Sequence, residues 1–183
     1  MVLRGRALVT GGVVALCLGL GACGPDASPR PATTPISTPA ETDTERQTRL
    51  DFEAAEKAYR TFSAEFDRLT NAGGAKEPSQ VMKGTADGPL LDSFTKTLQD
   101  AHTSGAFTKG ATRIVWLERG PYTPTRLTLT ACEDGSSLRV FDKNDKLLGT
   151  GEAAILEFDV RKGEDKWRLW NSRVIEGQRS CPG

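Results

Sequence analysis

Cysteine thiols are the side chains of this sequence with the clearest reactive chemistry, and one of them stands in a distinctive setting. Cys23 follows Leu20-Gly21-Ala22 directly, at the end of an uncharged apolar run, 7–22, that comes after Arg4 and Arg6. Small residues in extended form suit a signal peptidase, and the thiol is a nucleophile that accepts a diacylglyceryl group. The pattern predicts an exported chain that is lipidated at Cys23.

This pattern resembles that of bacterial lipoprotein precursors. The resemblance implies a signal peptide over 1–22 and acyl chains such as palmitate on Cys23. A retained transmembrane helix is disfavoured, because the run 7–22 is shorter than the roughly 20 residues that span a bilayer. An ordinary secretory signal cleaved after Ala22 remains the alternative. With two or more acyl chains, the protein is expected to be held at the outer face of the cytoplasmic membrane.

The segment 23–42 differs sharply from what precedes and follows it. Beyond Cys23 it consists mostly of Pro, Ala, Ser and Thr, and Ile36 is its largest apolar residue. Such a composition cannot recover the entropy lost on folding, so we expect an extended, disordered tether. The remainder, 43–183, has the length of one ordinary domain.

The charge balance excludes one class of partner. Without the signal, 22 basic residues stand against 24 acidic ones, and the basic residues form no stripe. There is consequently no electrostatic case for binding nucleic acid, or for a second, charge-based contact with the membrane.

Two thiols remain for the exported domain, since Cys17 leaves with the signal and Cys23 carries lipid. Cys132 and Cys181 are predicted to form a disulfide in the oxidising compartment. The alternatives are weak. Two cysteines and His102, the single histidine, are too few for a structural zinc site, and neither thiol lies in a nucleophile motif. No metal and no cofactor is predicted.

The apolar pattern that must position these side chains indicates helices first and strands second. Spacings of three and four predict an amphipathic helix over 43–72 that ends at Gly73-Gly74, and a second helix over about 87–105. Asp87 can cap the second helix, and Pro89 suits its first turn. Alternating residues then predict five strands, at 112–119, 125–133, 137–142, 152–162 and 166–176. The fold class expected is α+β, with amphipathic helices packed on a curved antiparallel sheet of about five strands.

This order of elements, ending in a strand with Trp167 and Trp170, resembles the cone-shaped fold of the nuclear-transport-factor-2-like and ketosteroid-isomerase-like superfamily (cystatin-like in architecture). The resemblance covers about 43–181. Ala131-Cys132-Glu133-Asp134, together with Ser180-Cys181, looks like small actinobacterial lipoproteins that carry such domains. The superfamily includes enzymes, binding modules and assembly domains, so function has to be argued from the site.

The enzyme hypothesis would depend on Tyr59, Tyr122 or His102. An isomerase of the resembled kind needs a carboxylate base, with a Tyr and a protonated acid as oxyanion hole, and no local motif here matches those positions. Tyr59 lies on the apolar stripe of the first helix and is interpreted as a core aromatic residue with its hydroxyl at the rim. Tyr122 lies in a turn, and His102 suits the C-terminal end of a helix. No catalytic residue is predicted.

Two other motifs are interpreted as structural. Gly149 to Ala154 has the letters of a dinucleotide fingerprint, but the residues that follow alternate as a strand where that site needs a helix. Asp142 to Asp145 lacks the further ligands of a calcium loop and predicts a hairpin turn.

What remains is an apolar, largely aromatic lining, which is either a filled core or a pocket for a small apolar ligand. The residues predicted to line it are Tyr59, Phe62, Phe66, Phe94, Trp116, Phe158 and Trp167. Trp170 has the opposite parity to Trp167, and an exposed Trp170 would mark a surface for an envelope protein partner.

The sequence therefore favours a membrane-anchored extracytoplasmic lipoprotein with a non-catalytic binding or scaffolding domain. A small hydrophobic ligand-binding protein is the alternative, and an isomerase-like enzyme is the third hypothesis. Three observations would discriminate between them: exposed aromatic area favours a protein partner, an apolar cavity favours a ligand, and a buried carboxylate that faces Tyr59 favours an enzyme.

Overall fold

The computed structural model describes residues 40–176 and residue 181, all within a compact unit that begins at Ala40. Cys23, the predicted signal peptide 1–22 and the tether up to residue 39 lie outside the described residues. The elements, in chain order, are α1 Asp43–Asn71, α2 Gln80–Thr85, α3 Gly88–Ser104, β1 Phe107–Lys109, β2 Arg113–Thr123, β3 Arg126–Asp134, β4 Arg139–Phe141, β5 Leu147–Thr150, β6 Ala153–Lys162 and β7 Trp167–Val174. No helix among them is both long and apolar enough to cross a membrane.

Helix α1 begins and ends where its local chemistry dictates. The Thr42 side chain accepts from the Glu45 backbone N–H, and the Glu45 carboxylate accepts from the Thr42 backbone in return. This reciprocal capping satisfies donors that the first turn leaves unpaired. At the other end Gly73 and Gly74 take φ of 88° and 79°, a left-handed conformation that glycine adopts without steric cost. The helix predicted over 43–72 is confirmed.

Helix α3 also follows its sequence signals. Asp87 is the N-cap, Pro89 lies in the first turn, and Gly105 ends the helix in the left-handed conformation at φ 73°. Both long helices bury one face against the main sheet, which joins four antiparallel strands in the order β2-β3-β6-β7. The predicted α+β class, with helices packed on an antiparallel sheet, is confirmed.

The strands form two sheets where the sequence predicted one sheet of about five. Residues 139–141, within the predicted strand 137–142, pair with β1 and β5 in a separate three-stranded sheet, and β1, β5 and α2 were not predicted. The chain leaves the main sheet at Gly135, which lies so close to Gly151 that a Cβ on either glycine would meet the backbone of the other hairpin arm. This close crossing lets the β4–β5 hairpin depart while β3 and β6 stay paired up to Asp134 and Ala153.

Three irregularities in the main sheet reverse the direction of side chains. The pairing of β2 with β3 shifts between Ile114 and Trp116 and again between Arg119 and Tyr122, and that of β6 with β7 shifts between Asp159 and Val160. A bulge of this kind inserts an extra residue, so the alternation of the two faces is broken there. In β2 both Ile114 and Leu117 consequently pack against the core.

Candidate functional site

A cavity of about 250 Å³ lies between the C-terminal half of α1, helix α3 and the main sheet. Helix α1 contributes residues at spacings of three and four, which places them on one face of the helix. The described lining residues are Tyr59, Phe62, Ser63, Phe66 and Asp67 of α1, Phe94 of α3, Thr112 just before β2, Glu133 of β3, Leu156 and Phe158 of β6, and Ser172 of β7.

Five aromatic rings form most of the apolar wall. Phe94 meets Phe62 and Phe66 edge to face, with ring centroids 5.0 and 4.6 Å apart. Tyr59 and Phe158 lie 4.9 Å apart on the sheet side. Aromatic pairs in these arrangements stabilise each other beyond the area that they bury, so the wall is held in place without a ligand.

The polar centre of the cavity is a tyrosine paired with a carboxylate. The Tyr59 hydroxyl donates to Glu133 Oε1 at 2.6 Å, and Tyr59 itself is only 1% exposed. Burial raises the pKa of Glu133, and the nearby negative charge of Asp67 raises it further, while the hydrogen bond from Tyr59 opposes the rise. Burial and the Glu133 charge likewise raise the pKa of Tyr59. The hydroxyl therefore stays protonated as a donor.

Asp67 is held by the chain segment that leads into β2. Its Oδ2 accepts from the Thr112 backbone N–H at 2.8 Å, and its Oδ1 accepts from the Thr112 hydroxyl at 3.1 Å. Both oxygens thus accept from Thr112, and these hydrogen bonds hold the Asp67 side chain at the cavity wall. In the part of the chain that the structure describes, no group of three or more His, Cys, Asp and Glu side chains could hold a metal ion.

Five of the seven residues predicted to line a pocket surround this cavity: Tyr59, Phe62, Phe66, Phe94 and Phe158. Trp116 does not, because the bulge in β2 pairs it with Cys132 and turns it to the sheet face away from the helices. Trp167 also faces the core, but it lies near the N-terminal half of α1, away from the cavity, where its indole N–H donates to Asp51 at 2.9 Å. Asp51 lies eight residues before Tyr59, or about 12 Å along the helix.

Trp170, which the sequence predicts as a marker of a partner surface if exposed, is partly buried and contacts neighbours on two sides. A Cβ on Gly88 would lie 2.9 Å from the Trp170 ring, and the Arg161 guanidinium lies 4.3 Å from the ring centroid. Among the described residues, the exposed large apolar side chains are all aliphatic: Leu50, Val81, Leu147, Leu148 and Val174. An exposed aromatic surface is therefore not found in that part of the chain.

The remaining candidates have structural positions. His102 is exposed in the last turn of α3. The prediction that Tyr122 lies in a turn is wrong, because β2 continues through it and pairs it with Leu127; its hydroxyl donates to Asp51 Oδ2 at 2.8 Å. The segment from Gly149 to Ala154 runs from the end of β5 into β6, with no helix after it. Both tyrosines donate to carboxylates, but Tyr59 and Glu133 line the cavity, whereas Tyr122 and Asp51 are not among its described lining residues.

Cys132 and Cys181 form a disulfide, with their Cα atoms 5.5 Å apart. Cys132 lies on the sheet face away from the helices, and the next residue, Glu133, points to the opposite face and into the cavity. The disulfide therefore fixes Cys181 behind the strand that carries the cavity carboxylate.

Glu133 is the functional residue that the sequence analysis missed. Its signal was present in β3, where the residues on the helix side are Leu127, Leu129 and Ala131, each at most 1% exposed, followed by Glu133. A carboxylate at an inward position of an alternating strand is costly to bury, so it indicates either a buried partner or a site.

Comparison with known proteins supports the fold, but it does not assign an activity. No protein-family model and no curated protein matches the chain. The structure is similar to the intermembrane space region of the chloroplast protein ARC6, with TM-score 0.51 and 15% identity over 68% of this chain and 96% of that one.

Two further likenesses have TM-scores below 0.5. One is a protein of unknown function with a cystatin-like fold from Nostoc punctiforme (TM-score 0.39, 17% identity, 69% of this chain and 91% of that one). The other is the beta subunit of benzoate 1,2-dioxygenase from Burkholderia mallei (TM-score 0.33, 12% identity, 75% and 91%). At such identities the similarity to ARC6 shows a shared fold alone.

Proposed function

We propose that this chain is a lipid-anchored, extracytoplasmic protein whose domain binds a small, mainly apolar ligand without transforming it. The observation that carries the binding function is the aromatic cavity with one Tyr59–Glu133 pair in its wall. Ligand pockets are characteristically apolar concavities with a few polar groups that fix orientation. The anchor at Cys23 is supported by the sequence pattern of residues 20–23.

The size of the cavity limits the ligand. An apolar cavity of about 150 Å³ admits one benzene molecule. A cavity of about 250 Å³ therefore suits a ligand of one or two rings, or a branched chain of similar bulk. Scaffolding of a protein partner is the weaker candidate, because Trp170 is partly buried and the cavity is not needed for that role.

Binding is tested with 2-naphthol, a two-ring probe whose fluorescence reports on its surroundings, added to the unlipidated mature chain from residue 24 onward. We expect saturable one-to-one binding. Ser63→Trp places a large ring at the cavity wall and should weaken binding about tenfold or more. Ala64→Trp adds the same ring at an exposed position of α1 and should leave affinity unchanged. Equal affinity in both variants would contradict binding in this cavity.

The anchor is tested separately in cells by detergent phase partitioning. Cys23→Ala should move the protein out of the detergent phase or leave it as an uncleaved precursor, because the acyl chains provide the membrane affinity. Cys17→Ala removes a thiol inside the predicted signal and is the matched control. Partitioning of a cleaved Cys23→Ala chain into detergent would refute lipidation at Cys23.

A proton-transfer enzyme is the second candidate, and the contact between Tyr59 and Glu133 favours it. A carboxyl whose pKa is raised above its ordinary value by burial, beside a hydroxyl donor, is an arrangement used in acid–base catalysis. Complementation of a deletion strain separates the two candidates. Tyr59→Phe removes only the hydroxyl and should preserve the role of a binding protein. A folded Tyr59→Phe variant that binds 2-naphthol but fails to complement, while Tyr122→Phe succeeds, would favour the enzyme.

A further inference from the structure

The charge of the cavity wall is one-sided. Glu133 and Asp67 both line the cavity, and no lysine, arginine or histidine is among its described lining residues. Asp67 already accepts from Thr112 with both oxygens. Glu133 accepts from Tyr59 through Oε1, and its Oε2 has no donor within the described part of the chain. The site thus has spare capacity to accept hydrogen bonds, and no cation among the described lining residues neutralises its negative charge.

The aromatic wall of the cavity, like its acidic side chains, favours a positively charged ligand. The faces of Tyr and Phe rings carry partial negative charge and attract cations within about 6 Å. Tyr59, Phe62, Phe66, Phe94 and Phe158 bring five such rings to the cavity that Glu133 faces. A carboxylate-bearing ligand would be repelled by both acidic side chains, whereas a cation would meet complementary charge and polarisable rings.

From this arrangement we infer that the ligand is an organic cation, an aromatic or branched alkyl ammonium compound, bound with its nitrogen beside Glu133 and its carbon groups against the aromatic wall. This inference rests on the ligand-binding function proposed above. The cation would supply the positive charge that no described lining residue offers to Glu133, and burial would strengthen their attraction because the surroundings are less polar than water.

The test uses two probes of the same shape, trimethylphenylammonium and its neutral isostere tert-butylbenzene, titrated into the unlipidated mature chain. The ammonium group is permanently charged, so any change in preference comes from the protein. We expect the wild-type chain to bind both. Glu133→Gln keeps the shape of the side chain and the acceptor for Tyr59 but removes the charge. In this variant, the affinity for trimethylphenylammonium divided by the affinity for tert-butylbenzene should fall about tenfold or more. Affinity for tert-butylbenzene should change little.

Glu157→Gln is the matched control. Glu157 is on the opposite face of the sheet, where it pairs with Arg173, and its neutralisation should leave the ratio unchanged. An unchanged ratio in Glu133→Gln overturns the inference, as does wild-type binding of tert-butylbenzene without trimethylphenylammonium; in both cases the ligand-binding function stands. Failure of both probes and of 2-naphthol to bind overturns that function itself.

A second measurement is independent of whether the variant folds. Benzenesulfonate presents the same ring with a negative group and should bind wild-type protein at least about tenfold more weakly than trimethylphenylammonium. Equal or tighter binding of benzenesulfonate would overturn the inference.

Discussion

Asp51 and Glu133 are two carboxylates between helix α1 and the main sheet, and each accepts a hydrogen bond from a tyrosine. Asp51 is saturated. Besides Tyr122, it accepts from Trp167 at 2.9 Å, Gln47 at 3.1 Å and Lys162 at 3.2 Å. Glu133 accepts from Tyr59 alone among the described residues and opens into a cavity.

The two environments move the pKa values in opposite directions. Burial acts to raise the pKa of Asp51, but its four donors outweigh burial and hold the pKa below its ordinary value of 3.8. For Glu133 burial prevails, and the pKa lies above 4.5. A carboxylate with four donors ties α1 to β2, β6 and β7, whereas one with a single described donor is available to a ligand. The comparison separates a structural cluster from a candidate site within one helix–sheet interface.

The largest effect is expected behind Glu133, at the disulfide. Cys132→Ser combined with Cys181→Ser should lower the free energy of unfolding by about 4 kcal/mol, because a link between residues 49 apart restricts the unfolded chain. Urea denaturation measures this. The Asp51 cluster has no such link, so in the folded double variant the Trp167 indole N–H signal should keep its NMR shift. Loss of that signal would show that the two regions depend on each other.

Asp51→Asn should destabilise the domain by about 3 kcal/mol at about pH 7, because the variant removes the charge that pairs with Lys162 and replaces one of the two acceptor oxygens by an NH2 donor. The sign of the pH dependence follows from the lowered pKa. The stability contributed by Asp51 is fully present above 3.8 and is lost as pH falls through the lower folded-state value. The difference between wild type and variant should therefore narrow in acid. A constant difference would mean that the ionised form does not matter.

Glu133→Gln should change the free energy of unfolding in the direction opposite to Asp51→Asn, and stabilise the ligand-free domain by about 1 kcal/mol at about pH 7. The raised pKa means that folding disfavours the ionised carboxyl. Stability is lost as pH rises from 4.5 through the folded-state pKa, and glutamine avoids that loss while still accepting from Tyr59. The gain should vanish below pH 4.5, as judged by urea denaturation across pH. Destabilisation at neutral pH would place Glu133 with Asp51 as a structural group.

The smallest effect is expected from the two tyrosine hydroxyls, compared in pairs. Tyr59→Phe removes the hydroxyl that donates to Glu133, so the pKa of the Glu133 carboxyl should rise further. Tyr122→Phe removes one of four donors from Asp51, whose pKa should stay below 3.8. Carboxyl carbon NMR titrations of the two variants give both values. Similar upward shifts in the two carboxylates would erase the distinction between saturated and unsaturated sites.

Several features of the domain follow from local sequence alone. The Asp87 cap, the apolar spacing of the two long helices and the glycines that end them were sufficient to predict α1 and α3, because helices are set by neighbours three and four residues apart. Alternation predicted the four strands of the main sheet, and the number of thiols available to an exported chain predicted the Cys132–Cys181 pair.

Other features depend on residues far apart in the chain. Period-two alternation does not encode how strands meet. It therefore could not predict the bulge that turns Trp116 away from the helices, the departure of β4 and β5 into their own sheet, or the short elements α2, β1 and β5. The candidate site is the clearest case. Tyr59 and Glu133 are 74 residues apart, and both were visible in the sequence as members of regular elements. Helical spacing and strand alternation in the sequence place each of these two side chains on an inward face. Only the packing of α1 across β3 decides that Tyr59 and Glu133 meet each other and that Asp51 meets Trp167. The physical reason is that the partner of an inward polar group depends on where along the helix the sheet crosses it.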